Sequence, residues 1–189
     1  MSKLRLKITM SLDGFVAGPD QSVDDPLGRG GMRLHEWAFA LRAWREMHGM
    51  EGGVDDASTA VVEESLAGIG ATIMGRNMFG GHPGGWERTT PWDGWWGEDP
   101  PYHHPVYVLT HHPRAPLIHK GGNSFTFVTD GIESALSQAR ASAAGMDISL
   151  AGGASTAGHY LRAGLVDEME ISIAPILLGA GERLFDGVD

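Results

Sequence analysis

The stretch Asp147-Ile148-Ser149-Leu150-Ala151-Gly152-Gly153-Ala154-Ser155-Thr156 decides how this chain is read. Its alternating apolar residues predict a strand, and the two glycines that follow let the backbone turn and approach a ligand. Ser155 and Thr156 can cap the helix that comes next while their N–H groups face outward. A helix N-terminus with free N–H groups and positive dipole character suits a phosphate, so the motif points to a nucleotide cofactor held by Gly152, Gly153, Ala154, Ser155 and Thr156. An ordinary strand–turn–helix with glycines at its turn has the same letters and stays open as the plainer reading.

Outward from this junction, strands and helices alternate. Leu4, Leu6, Ile8 and Met10 alternate with Arg5, Lys7 and Thr9, the period of a half-buried strand. Leu34, Trp37, Ala38, Leu41, Trp44 and His48 recur at helical spacing and predict one amphipathic helix over 34–48. A helix over 57–67, strands over 71–74, 106–109 and 125–128, and a helix over 132–143 follow. After the double-glycine helix, Met169, Ile171 and Ile173 alternate with Glu170, Ser172 and Ala174. This order predicts an α/β fold with a mostly parallel sheet, in which a late strand can run antiparallel.

Four segments carry a resemblance. They are Ser11-Leu12-Asp13-Gly14-Phe15-Val16-Ala17-Gly18, Ile73-Met74-Gly75-Arg76-Asn77-Met78-Phe79, Pro105-Val106-Tyr107-Val108-Leu109-Thr110, and the run from Ala151-Gly152-Gly153 through Leu161-Arg162-Ala163-Gly164-Leu165-Val166-Asp167-Glu168 to Ile173-Ala174-Pro175-Ile176-Leu177-Leu178-Gly179-Ala180-Gly181. In this order they resemble the dihydrofolate reductase superfamily, and within it the C-terminal reductase domain of the bifunctional riboflavin-biosynthesis deaminase/reductase and its stand-alone relatives. The resemblance implies a single domain over 1–189, built as a dihydrofolate-reductase-like three-layer αβα sandwich with a mostly parallel central sheet. It also implies a reductase transferring a hydride to a small heterocyclic or carbonyl substrate, similar to 5-amino-6-(5-phosphoribosylamino)uracil reductase. A dihydrofolate reductase, and a nucleotide-binding module without turnover, are the alternatives. The run Ile171 to Leu178 with Glu182-Arg183-Leu184-Phe185 resembles the family's terminal strands that pair across a two-fold axis, which implies a homodimer.

The same resemblance assigns roles. Gly75, Arg76, Asn77 and Met78 would meet the cofactor phosphates from the side facing the double glycine, and Val16 and Ala17 would lie against the nicotinamide. The turn Thr110-His111-His112-Pro113-Arg114 would lie beside the adenosine ribose. A 2′-phosphate there would find the Thr110 hydroxyl, His111 or His112, and the fixed charge of Arg76 or Arg114, a solvated histidine pair at a turn being the plain reading. No acidic residue stands in the turn to take a free 2′-hydroxyl, which favours NADPH over NADH. For catalysis, Glu36 matches the carboxylate of folate reductases, with Asp13 as the other acid near the cleft. A dipole partner for the helix and a turn residue bonding its own backbone are the plain readings of these two. Arg29, Arg33 and Trp37, with Arg183, are the candidates for the substrate side.

Composition narrows the partners. The 189 residues are 42% hydrophobic, enough for a full core. A net charge of -10 argues against a nucleic-acid partner. No apolar run reaches a membrane span and the N-terminus lacks a signal peptide's apolar centre, so a cytoplasmic protein acting on a small molecule is expected. Without cysteine there is no thiol chemistry. His103, His104, His111, His112 and His119 cluster in sequence but lack a chelating spacing, and no metal is expected. Two segments break the periodicity: 18–33, where the family's mobile loop closes over the nicotinamide, and 80–105, rich in Gly and Trp, which reads as a lid or interface, or as a loop pinned to the body by its aromatics.

Overall fold

The computed structural model describes residues 2–65, 67–86 and 92–188. The strands are β1 (Leu4–Ser11), β2 (Phe15–Ala17), β3 (Ile69–Gly75), β4 (Pro105–Leu109), β5 (Leu117–Ile118), β6 (Ser124–Val128), β7 (Asp147–Gly152), β8 (Glu168–Ala174) and β9 (Glu182–Arg183). The helices are α1 (Glu36–Phe39), α2 (Arg42–Met47), α3 (Thr59–Glu63), α4 (Arg76–Phe79), α5 (Ile132–Ser142) and α6 (Ala154–Arg162). Seven strands form one sheet in the order β5-β6-β4-β3-β7-β1-β8, and β2 pairs with β9 in a separate ribbon.

The sheet's register follows from its side chains. Every residue of β3 is buried, as expected for a central parallel strand covered on both faces. On one face Leu6, Leu150, Ile73 and Tyr107 lie side by side across β1, β7, β3 and β4, and α5 and α6 pack over them through Ala135, Leu136, Ala157 and Tyr160. On the other, Met74, Val108 and Phe127 align and carry α4 and the tryptophan-rich loop. At the edge, β1 pairs with β8 so that Arg5 lies opposite Glu168 and Lys7 opposite Glu170, and both ion pairs form, at 3.5 and 3.0 Å. Slipping this pair by one residue would put charges against the core face, so these pairs reinforce the register.

Most predicted elements stand where the periodicity places them, with informative exceptions. The late strand β8 runs parallel to β1; among the described residues the antiparallel strand of the main sheet is the short β5. The helix expected over 34–48 is broken into a 3-10 turn (Gly31–Leu34), α1 and α2. Leu41 adopts an extended conformation because the backbone there bonds to a distant segment: Val54 N–H donates to the Ala40 carbonyl and Arg42 N–H to the Val54 carbonyl, both at 2.9 Å. The helical spacing of the apolar residues is real, since Ala38, Leu41, Trp37, Trp44 and Met47 share one cluster with Val62. Residues 18–33 are held by their own backbone bonds, including Gly18 N–H to Leu27 O and Arg29 N–H to Pro19 O, both 2.8 Å. Part of segment 80–105 lies outside the described residues.

Candidate functional site

The ends of the parallel strands open into a cavity of about 890 Å³, where open α/β sheets place their ligands. Two strand-to-helix junctions form its floor: Gly75 to Met78 between β3 and α4, and Gly153 to Thr156 between β7 and α6. Their closeness is set by Gly75, where an added Cβ would stand 2.3 Å from the Thr156 hydroxyl oxygen. The turn after β4 contributes Thr110 and His111, and β2 contributes Val16 and Ala17.

The double glycine divides its work between two conformations. Gly152 has φ 113, a backbone region that side chains other than glycine rarely adopt, so the turn itself needs it. The Gly152–Gly153 peptide is cis. Gly153 has φ -70, and an added Cβ there would meet nothing within 4 Å; its side faces the open cavity. Positive φ therefore belongs to Gly152 alone, and what Gly153 supplies is space. Behind it, the first amides of α6, from Ala154 to Thr156, precede the first helical N–H donor at Ala157, which bonds the Gly153 carbonyl at 2.9 Å.

The fixed charges are distributed differently from the sequence expectation. Arg76 lines the cavity, but its guanidinium donates to the carbonyls of Gly80 and His82 and lies 3.6 Å over the Trp86 ring; its Nε is buried and has no hydrogen-bond partner among the described residues. Burial, with a smaller effect of nearby Arg114, lowers its pKa from the ordinary value. Arg114 does not reach the cavity: it donates to the Trp92 carbonyl and to Asp93, the latter at 2.9 Å. Indole N–H groups complete the arrangement, Trp92 donating to the Phe79 carbonyl at 3.0 Å and Trp95 to that of Met78 at 3.1 Å. A four-residue helix leaves these carbonyls without helical partners, and the loop supplies them. The aromatic loop is thus pinned to the body, and Trp95 and Trp96 also form cavity wall.

The acids and the expected substrate residues stand away from the cavity. Asp13 accepts hydrogen bonds from the Ser11 hydroxyl at 2.6 Å and from the Leu178 and Gly179 amides at 3.1 and 2.7 Å, tying the β1–β2 turn to the C-terminal segment. The Ser11 bond above all, aided by both amides against desolvation, holds its carboxyl at about 2. A depressed carboxylate stabilises the fold above its unfolded value of about 3.9, and this contribution is lost as pH falls towards 2. Asp13→Asn is therefore expected to melt below wild type by a constant margin from neutral pH down to about pH 5, with the two melting temperatures converging at lower pH. A margin that is the same at pH 2 and pH 7 would contradict this. Glu36 is exposed at the start of α1, Arg29 pairs with Asp20 on the surface, Arg33 is exposed, and Trp37 packs with Leu41 and Val62; the structure brings none of them to the cavity.

The residue beside Glu36 does reach it. His35 lines the cavity, and no hydrogen bond joins either ring nitrogen to another described residue. Burial lowers its pKa, so the imidazole is neutral at pH 7. The signal missed in the sequence is the break between the 3-10 turn and α1, at which position 35 turns inward and 36 outward. Among the described residues no cluster of His, Asp or Glu could hold a metal ion, and no helix is long and apolar enough to cross a membrane.

Comparison with known proteins agrees with this architecture. The family described as the RibD C-terminal domain matches residues 2–189. The Bacillus subtilis (strain 168) protein YyaP, itself uncharacterized, is 26% identical over 187 residues, 97% of this chain and 80% of YyaP. A Shewanella sp. PV-4 protein whose name refers to riboflavin biosynthesis superposes with a TM-score of 0.56 at 21% identity, covering 96% of this chain and 82% of its own. Acinetobacter baumannii RibD gives 0.53 at 20% identity, and the Thermotoga maritima diaminohydroxyphosphoribosylaminopyrimidine deaminase/5-amino-6-(5-phosphoribosylamino)uracil reductase 0.52 at 12%. All of this chain aligns with 50% and 49% of those two. At these identities the likeness is one of fold.

Proposed function

This chain belongs to the RibD C-terminal domain family, and from that premise we propose that it is an NADPH-dependent reductase delivering a hydride to a small heterocyclic or carbonyl substrate. The observation that carries the reading is the convergence of two strand-to-helix junctions on one cavity, with open space at Gly153 and Arg76 among the lining residues. These residues fit a dinucleotide. The amides of Ala154, Ser155 and Thr156 would hold the pyrophosphate, and Thr110, His111 and Arg76 would face a 2′-phosphate. Val16 and Ala17, both buried, would flank the nicotinamide and exclude water from it. The bound cofactor supplies the hydride; this chain's residues orient the ring and dry its surroundings. A folate reductase is disfavoured because Glu36 lies outside the cavity, and a module without turnover would bind nucleotide but oxidise none.

NADPH is expected to bind at least about tenfold more tightly than NADH, since one charge-assisted contact to phosphate is worth about 1.5–3 kcal/mol. Fluorescence titration of both nucleotides checks this, and equal dissociation constants would sink it. We also propose a homodimer across the sheet edge: among the described residues β8 has no outer neighbour, Met169 and Ile173 are exposed on it, and Leu177 is exposed in the segment that follows it. Light scattering at micromolar concentration should give twice the mass of one chain, and a pure monomer refutes it.

A further inference from the structure

We propose that His35 is the substrate-recognition residue of this cleft, and that it selects an uncharged ring turning a carbonyl oxygen or ring N–H towards it over a cationic amidine-type ring. The inference rests on the reductase reading of the cavity and names the chemistry at its substrate end.

The backbone at His35 is fixed from both sides. Its N–H donates to the Met32 carbonyl at 3.0 Å, and its carbonyl accepts from Ala38 and Phe39 at 2.9 and 3.1 Å. The ring stacks on Phe39, with centroids 6.1 Å apart. The turn that delivers it, Gly31–Leu34, packs on β1 and β2, and these strands and the segment after β2 add Ile8, Val16, Ala17, Pro26 and Leu27 to the lining of the same cavity. Thr9 also lines the cavity, while the Gln21 amide is already donated to the Pro26 carbonyl at 2.9 Å. An apolar surround with a preoriented ring whose nitrogens have no described protein partner is how a binding site keeps hydrogen-bonding capacity for a ligand.

The chemistry of the imidazole then sets the class of ligand. In its neutral form it offers one donor and one acceptor, which a ring carbonyl or a ring N–H can take singly. A protonated 2,4-diaminopyrimidine presents a row of donors and a positive charge, and the partner for that edge is a carboxylate with two acceptor oxygens. Glu182 is the carboxylate that lines the cavity among the described residues, and it stands at the rim, exposed and shared with the groove formed by Arg162 and Asp186. Among the described residues the inner wall therefore offers no carboxylate to meet a cationic ring.

Calorimetric titration of the NADP⁺-loaded protein tests this with two probes, 5,6-diaminouracil, a neutral ring with carbonyls, and 2,4-diaminopyrimidine. Wild type is expected to bind the uracil more tightly. His35→Phe keeps the stacking on Phe39 and should weaken the uracil by about fivefold or more, with NADP⁺ affinity unchanged within about twofold. His35→Asp should strengthen the diaminopyrimidine by at least about tenfold over wild type. If the diaminopyrimidine binds wild type as tightly as the uracil, if the uracil does not bind, or if neither variant shifts its probe, the assignment is overturned. Absence of NADP⁺ binding would defeat the cofactor reading separately; the same titrations on unloaded protein then decide His35. Should one variant fail to fold, the other decides alone.

Discussion

Gly153→Val is expected to abolish nucleotide binding while leaving a folded protein. At φ -70 the backbone of Gly153 lies in a region that valine adopts, and no atom within 4 Å obstructs its Cβ. The branched side chain therefore costs the fold little and projects into the cavity, where the phosphates would approach the amides of α6. Filling that space should weaken NADPH by at least about a hundredfold, roughly 2.7 kcal/mol. The companion change, Gly152→Val, should behave in the opposite way. With φ 113 its strain, on the order of 1–3 kcal/mol, falls on the folded state. Circular dichroism, thermal melting and fluorescence titration of the two variants separate the roles. A Gly153→Val protein with native dichroism and wild-type NADPH affinity would show that the glycine serves only packing.

The second large effect is expected at Gly75. Its Cα faces the Thr156 side chain so closely that a methyl group would meet the hydroxyl oxygen at 2.3 Å and the Thr156 Cβ at 3.3 Å. Gly75→Ala should destabilise the protein by about 1–3 kcal/mol, because β3 is buried throughout and has no room to yield. It should also weaken NADPH, since the two junctions can relieve the overlap only by moving apart. Thr156→Ala removes the hydroxyl and leaves a contact that small shifts accommodate, so the double variant should recover most of the lost stability. The two changes will then be strongly non-additive. Additive losses in denaturant unfolding would mean that Gly75 is needed for another reason.

How far the molecule could be read from its letters varies from element to element. The alternation over Leu4–Lys7 of β1, the buried run of β3 and the double-glycine junction report local backbone preference and burial, which sequence periodicity records directly. The alternating letters of β8 do not match its burial, since Met169 and Ile173 are exposed. Elements with too few residues to carry a period were not legible. The two residues of β5 and of β9, and the three of β2, are strands only because β6, or each other, lies alongside. The break at Leu41 is of the same kind, made by a backbone partner at Val54.

At the site, sequence alone determined the fold class, the order of its elements and the junctions that border the cavity, because a strand, a tight turn and a helix start are each written in a few neighbouring residues. Tertiary structure decided which side chains take part. Arg76 and Arg114 are equally cationic in sequence, yet both guanidiniums are drawn to loop carbonyls, and only Arg76 remains on the cavity wall. Asp13 is committed to amides 165 and 166 positions away. His35 and Glu36 are adjacent, but His35 stands at the junction between the 3-10 turn Gly31–Leu34 and α1, so which of them faces the cavity depends on how that turn packs on β1 and β2. That placement is settled by packing between segments distant in the chain, to which a local pattern of residues is blind.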